Sequence, residues 1–235
     1  MKNILLNPDP FGSHNQIIKR INSNSVILDV GCSNGAIGEA LIKNKNCKVY
    51  GIELFRKAAH QALKKGYKKV IINDVDQIEK LPFPNEFFDF IIFADILEHL
   101  IDPLKILKFF KKYLKKGGHI IISIPNVANW YSRLRLLFGQ WEYGTAGLFE
   151  RTHLRFFNFK TAKQLITDSG FKIEKIDYVS NLDPHTFLSI FKKQISKPSY
   201  SPLKKNIVPI LKIRYYLMRI YPKLFAIQFI IKAKN

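Results

Sequence analysis

Acidic residues are scarce: 18 Asp and Glu stand against 38 Lys and Arg, leaving a formal charge of +20 on 235 residues. Such a surface favours anionic partners, whether nucleic acid, anionic lipid or phosphorylated substrates. Part of the excess is compositional, because Lys, Ile, Asn and Phe are all abundant together. Cysteine is nearly absent, with only Cys32 and Cys47, which excludes a disulfide framework or a cysteine zinc site and points to a reducing cytoplasm. No apolar run approaches the ~20 residues of a membrane span. The opening residues break at Pro8 before a signal-peptide core forms, so a soluble protein is expected. There is no Gly-Lys-Ser/Thr phosphate loop, no internal repeat and no low-complexity linker. The length suits one α/β domain with a substantial core.

What is present centres on Val26 to Gly38, Val-Ile-Leu-Asp-Val-Gly-Cys-Ser-Asn-Gly-Ala-Ile-Gly. Val26–Val30 is a short, β-branched apolar run, the pattern of a strand buried on both faces. Gly31 to Gly35 makes a tight turn, and Ala36 to Asn44 is expected to be a helix. In an open parallel sheet, such a strand–turn–helix corner lies at the carboxyl edge, where ligands collect. Without a Cβ, Gly31 and Gly35 allow unusual dihedrals and close ligand approach. A dinucleotide fingerprint is disfavoured, since Ser33 stands where a second glycine would admit a pyrophosphate.

Further strands are expected at Lys48–Ile52, Val70–Ile72, Phe87–Phe93, His119–Ile124 and Phe171–Tyr178. Glu53 follows the second, about 20 residues beyond the glycine loop, as a ribose-binding acid requires. Asn73-Asp74-Val75 follows the third, with Asp76 competing with Asp74 for the same role. Ala94-Asp95-Ile96-Leu97-Glu98-His99 follows the fourth. Asp102-Pro103 starts a helix expected to run to Leu114 and to stop at Gly117-Gly118. In the lead-in, Asn15–Ile21 is expected to be a short basic helix with Ser13 as its cap and His14 beside it.

The first motif resembles that of class I S-adenosylmethionine-dependent methyltransferases, hydrophobic-x-Asp-hydrophobic-Gly-Cys-Gly-x-Gly, with Ser33 departing from the usual glycine. The segment after the fourth strand resembles the same family's Asp-x-Leu-Glu-His. The resemblance implies a Rossmann-like, seven-stranded, mostly parallel α/β sheet with helices on both faces, plus a helical insertion before the last strand. It places S-adenosylmethionine on Asp29, Gly31, Cys32, Ser33, Gly35, Glu53, Leu54, Asp74, Val75 and Asp95. Asp74 would meet the adenine amine, the next backbone amide a ring nitrogen, and Asp29 would fix the loop from beneath or meet the methionine ammonium. Asp29, Glu53 and Asp74 are expected to converge on the cofactor.

The core then covers 1–178, with an aromatic and arginine-rich lid at 126–158 that carries both tryptophans, Trp130 and Trp141. Residues 179–224 read as a basic helical insertion, with helices at His185–Gln194 and Leu203–Ile220, and 225–235 as the final strand, Phe225–Ala233. The basic 203–224 stretch is a candidate for peripheral contact with an anionic membrane at the inner face, or for packing on the domain. The run Glu150 to Phe157 resembles a segment of bacterial methyltransferases encoded with cell-surface polysaccharide enzymes.

Methyl transfer needs alignment and water exclusion, and a hydroxyl acceptor also needs a base. His99 and His153 are the candidates, since imidazole titrates near neutral pH. Glu98 and His99 alone lack a third convergent ligand, so no metal is expected. The acceptor is expected to be a small molecule, sugar or lipid-linked glycan methylated on oxygen. Nucleic acid is disfavoured because no Asn/Asp-Pro-Pro-aromatic motif follows the fourth strand and no cysteine lies there. The competing readings are an inactive basic module of the same fold, binding nucleic acid or anionic membrane, and a nicotinamide oxidoreductase, which Ser33 disfavours.

Overall fold

The computed structural model describes residues 12–179, 216–217 and 220–235. The glycine-bounded corner forms as expected. β1 (Val26–Val30) enters the turn and α2 (Ala36–Lys45) leaves it, after the lead-in helix α1 (Ser13–Lys19). β2 (Lys48–Glu53), α3 (Arg56–Lys64) and β3 (Lys69–Ile72) follow, and the chain then crosses back to β4 (Phe88–Ala94). The remaining elements are α4 (Pro103–Lys111), β5 (Leu114–Pro125), α5 (Trp130–Leu137), α6 (Phe159–Asp168), β6 (Lys172–Val179) and β7 (Gln228–Lys234).

The seven strands run in the order β3-β2-β1-β4-β5-β7-β6. β1 pairs in parallel with both β2 and β4, whereas β7 is antiparallel to β5 and β6. The order reverses between β1 and β4, so the carboxyl ends of those strands flank a crevice.

Near-continuous apolar strands are explained by cover on both faces. Leu28, Val30, Ile91, Phe93, Ile120 and Ile122 join one core cluster with Leu107 and Phe110 of α4 and Ile166 of α6. The alternate residues Ile27, Phe90, Ile92 and Ile121 join the other, with Ile17 of α1 and Ile37 and Leu41 of α2. Burying Leu41 or Phe110 fully removes about 1.5–3 kcal/mol worth of apolar surface from water apiece.

Several boundaries differ from the sequence pattern. α4 ends at Lys111, and Gly117-Gly118 lie inside β5 rather than stopping a helix. The β4–β5 register jumps from Phe88↔Leu114 to Phe90↔His119, and Gly117, at φ +76°, takes up the extra residues as a bulge. β7 starts at Gln228 rather than Phe225, because Pro222 opens a single helical turn, Pro222–Phe225, ahead of it. α1 begins at Ser13 with Gly12 at the cap position and no side-chain cap. Its end is tied to the far edge of the sheet, where Arg20 donates to both Asp177 oxygens at 2.5 and 2.6 Å. α3 starts only at Arg56, which leaves Leu54 and Phe55 exposed beside Glu53. The expected helix His185–Gln194 and most of Leu203–Ile220 lie outside the described residues. Among the described residues, no helix is long and apolar enough to cross a membrane.

Candidate active site

The loop after β1 is held from three sides. Gly31 and Cys32 both donate backbone bonds to Ile52 O, at 2.9 and 3.0 Å, and Gly35 N closes the turn on Cys32 O at 2.9 Å. Glu53, buried at the end of β2, accepts from Ser33 N at 2.8 Å on one oxygen and from Phe55 N at 2.9 Å on the other. These bonds use one lone pair of each oxygen, so the carboxylate keeps acceptor capacity for further donors. Ser33 itself takes φ +48°, a conformation that the Glu53 bond helps to hold. Above Gly31 lies Ile96, whose Cδ1 would be 2.7 Å from any Cβ at that position.

Asp29 works from beneath. Strand alternation turns it into the face occupied by Tyr67, and the Tyr67 hydroxyl donates to its Oδ2 at 2.6 Å. Gly38 N donates to the same phenol oxygen at 3.1 Å. A Cβ at Gly38 would lie 2.1 Å from that oxygen, so the third glycine of the motif exists to admit the ring. Burial, eased by the Tyr67 bond and augmented by the nearby Glu53 charge, raises the Asp29 carboxyl to about 7. Tyr67 was invisible in the motif because it approaches from a different part of the chain.

Cys32 joins the loop mainly through its backbone, and its thiol makes one long contact, 3.9 Å, to Ser33 O. Its side chain is buried against Gly51, and burial with Asp29 and Glu53 close by drives the thiol far above its ordinary range. It is an inert packing group.

The third acid stands apart from the first two. Asp74 caps the 3-10 turn Val75–Gln77 by accepting from Asp76 N at 3.0 Å, and Val75 is buried in the core. Asp76 reaches across to Ile101 N at 3.2 and 3.1 Å, joining that turn to the segment after β4. The expected convergence of Asp29, Glu53 and Asp74 is therefore only partial. Asp29 and Glu53 meet under the loop, while the side chain of Asp74 serves its own turn.

A cavity of about 400 Å³ opens at the carboxyl ends of β4 and β5 and the start of β7. Asp95, Glu98, His99, Trp130, Tyr131 and His153 are among its walls. Asp95 takes φ +52°, a left-handed conformation that Asp tolerates better than most residues. Its backbone N and its Oδ1 are both bonded to the Ser123 hydroxyl, at 3.0 and 2.7 Å, and Oδ1 also accepts from Gln228 Nε2. One side chain thus fastens three strand ends. From α1, the half-buried His14 faces Asp95, and burial lowers the basicity of its imidazole despite that charge.

The lid roofs this cavity and is anchored by two buried asparagines. Asn126 donates to Ala226 O at 2.7 Å and Lys223 O at 3.1 Å, and Asn129 caps α5 by accepting from Tyr131 N and Ser132 N. Trp130 and Tyr131 then face the cavity, whereas Trp141 packs on Phe149 and Phe156 inside the lid, with ring centroids 4.6 and 5.4 Å away. The return segment lies along the turn after β4, since Leu154 N and Arg155 N both donate to Glu98 O, at 2.8 and 3.0 Å. This stitch brings His153 against His99, with ring centroids 4.7 Å apart.

His99 Nδ1 bonds to Thr152 O at 3.1 Å and His153 Nδ1 to Leu148 O at 2.9 Å. A carbonyl only accepts, so each Nδ1 carries a proton, and in a neutral ring the lone pair then lies on Nε2. Burial lowers the His153 imidazole further, which favours the neutral ring. Between them, Glu98 is 1% exposed, and burial with Asp95 nearby pushes its carboxyl up to about 9. The sequence singled out His99 and His153, which both line this cavity, but nothing local in it showed Glu98 to be buried.

Carboxylates, Asp29 and Glu53, rather than cations flank the loop, and the Ile96 side chain packs on Gly31. A family model described as "Methyltransferase domain" matches residues 10–176. The ubiquinone biosynthesis O-methyltransferase of Aliivibrio fischeri is 30% identical over 104 residues, covering 43% of this chain and 44% of that protein. The match thus spans less than half the length of that curated relative. The crystal structure of a SAM-dependent methyltransferase from Archaeoglobus fulgidus aligns over 95% of both chains at a TM-score of 0.61 and 19% identity. Phosphoethanolamine N-methyltransferase 2 of Haemonchus contortus, in complex with S-adenosyl-L-methionine, aligns at 0.59 and 17% identity over 94% of this chain and 52% of that one. With the model matching most of its length, the chain belongs to the methyltransferase-domain family, the class I S-adenosylmethionine-dependent methyltransferases.

Proposed function

We propose that the chain methylates an oxygen atom of a small acceptor, such as a sugar, lipid-linked glycan or other hydroxylated molecule, held in the cavity under the lid. The observation that carries this reading is the position of the cavity. It begins at Asp95, one residue before Ile96, whose side chain lies over Gly31, which supports an acceptor site bordering the loop.

S-adenosylmethionine supplies an already activated methyl group, which leaves the protein the tasks of alignment and water exclusion. Glu53 and the Ser33–Gly35 backbone hold the ribose and methionine portions, with Leu54 offering an apolar surface to the nucleoside. Asp74 and the Val75 amide are assigned to the adenine edge, and Asp95 to the border with the acceptor. Trp130 and Tyr131 close the acceptor side against water. His99 and His153, each with its Nδ1 tied to a backbone carbonyl, use Nε2 to receive the hydroxyl proton or the hydrogen bond that orients it.

An oxygen acceptor is supported by the O-methyltransferase relative, and a glycan by the Glu150–Phe157 segment, of which Glu150 and His153 line the cavity. The test is transfer of radiolabelled methyl from S-adenosylmethionine to fractionated cell extract. The expected product is a base-stable ether in a small-molecule or glycan fraction. Label confined to protein or nucleic acid contradicts the reading.

A further inference from the structure

We propose that Glu98, His99 and His153 form a binding site for a divalent transition-metal cation in the wall of the acceptor cavity. The sequence offered only Glu98 and His99 side by side, and the third ligand comes from the returning lid. One nitrogen of each imidazole and one carboxylate oxygen lie within 4.8 Å of one another. An ion with bonds of about 2.1 Å holds tetrahedral ligands roughly 3.4 Å apart, so the set needs to close by at most about 1.4 Å.

Two further observations point to an ion rather than to a chance cluster. Neither oxygen of Glu98 has a hydrogen-bond partner among the described residues, although the side chain is 1% exposed. A buried carboxyl group without any hydrogen-bond partner is costly, and an ion or ordered water is its usual explanation. Each imidazole, moreover, donates Nδ1–H to a backbone carbonyl, Thr152 O or Leu148 O. That bond fixes the ring and leaves Nε2 for the metal, the outer-sphere arrangement typical of histidine ligands.

Two imidazoles and one carboxylate suit Zn²⁺, Mn²⁺ or Fe²⁺, whereas Mg²⁺ and Ca²⁺ prefer all-oxygen sites. Three protein ligands leave exchangeable positions, and since all three residues line the cavity, those positions open onto it. If the cavity holds an oxygen acceptor, as the methyl-transfer reading requires, the ion would bind that oxygen and acidify its hydroxyl. The imidazoles would then act through the ion rather than as bases.

The full chain, stripped with chelator, is titrated with Zn²⁺ or Mn²⁺ and desalted for elemental analysis, with Mn²⁺ binding also followed by electron paramagnetic resonance. One equivalent retained per chain is expected. Glu98→Gln, His99→Ala and His153→Ala should each weaken retention by at least about tenfold, while His60→Ala, on an exposed position of α3, should not. Far-UV circular dichroism identifies any variant that fails to fold, and the resonance measurement on the unaltered chain needs no variant. Absence of stoichiometric metal in the unaltered chain, or retention unchanged in the folded ligand variants, overturns the site. S-adenosylhomocysteine titrated into the same samples separates the two proposals: cofactor binding without metal removes the cation site alone, and metal without cofactor binding removes only the methyl-transfer reading.

Discussion

The Tyr67 hydroxyl donates to Asp29 at 2.6 Å while accepting from Gly38 N at 3.1 Å, so one phenol joins the strand before the glycine loop to the helix after it. Tyr67→Phe keeps the ring and removes both bonds. It leaves a buried carboxylate and a buried amide without their partner, so unfolding free energy should fall by about 1–3 kcal/mol. Urea denaturation followed by circular dichroism measures this. A variant as stable as the parent would show that the phenol only fills space.

Asp29 gives the fold a pH dependence of predictable sign. Its carboxyl is raised to about 7 by burial, while an unfolded aspartate ionises near 4. Between those values the folded chain keeps a proton that the unfolded chain has lost. The stabilisation is therefore complete below about pH 4 and is lost as pH rises through 7. Asp29→Asn removes this contribution, so the stability difference between parent and variant should shift by up to about 4 kcal/mol from pH 4 to pH 8. Parallel stability–pH curves for the two proteins would contradict it.

Asn126 is fully buried, and its amide holds the start of the lid to the segment before β7. Asn126→Ala strands the Ala226 and Lys223 carbonyls and should cost about 1–3 kcal/mol. Limited proteolysis should then cut within 126–158 before the rest of the domain. Cleavage that starts elsewhere would show that the lid has another anchor.

The sequence disclosed the parts of this molecule that are local. Val26–Val30 and the turn to Gly35 follow from an apolar run meeting glycines, and Glu53 from its distance along one βαβ unit. Contacts between remote segments were not legible. Tyr67 belongs to no motif, and His153 joins Glu98 only because Leu154 and Arg155 bond to Glu98 O. Gly117-Gly118 was misread for a different reason, since glycine stops helices and also permits bulges, and only the β4–β5 register distinguishes the two. Asp74 follows the third strand as expected, but a pattern of residue types cannot show that its carboxylate is engaged by Asp76 N.

Glu53 holds the loop and, in the proposed site, the cofactor as well, which makes its removal the sharpest probe of the account. Isothermal titration of S-adenosylhomocysteine into the full chain should show one site, and Glu53→Ala should weaken it by about 1.5–3 kcal/mol through loss of hydrogen bonds to a charged group. No binding to the parent chain, or an affinity that the substitution leaves untouched, would contradict an adenosyl site over the Gly31–Gly35 loop.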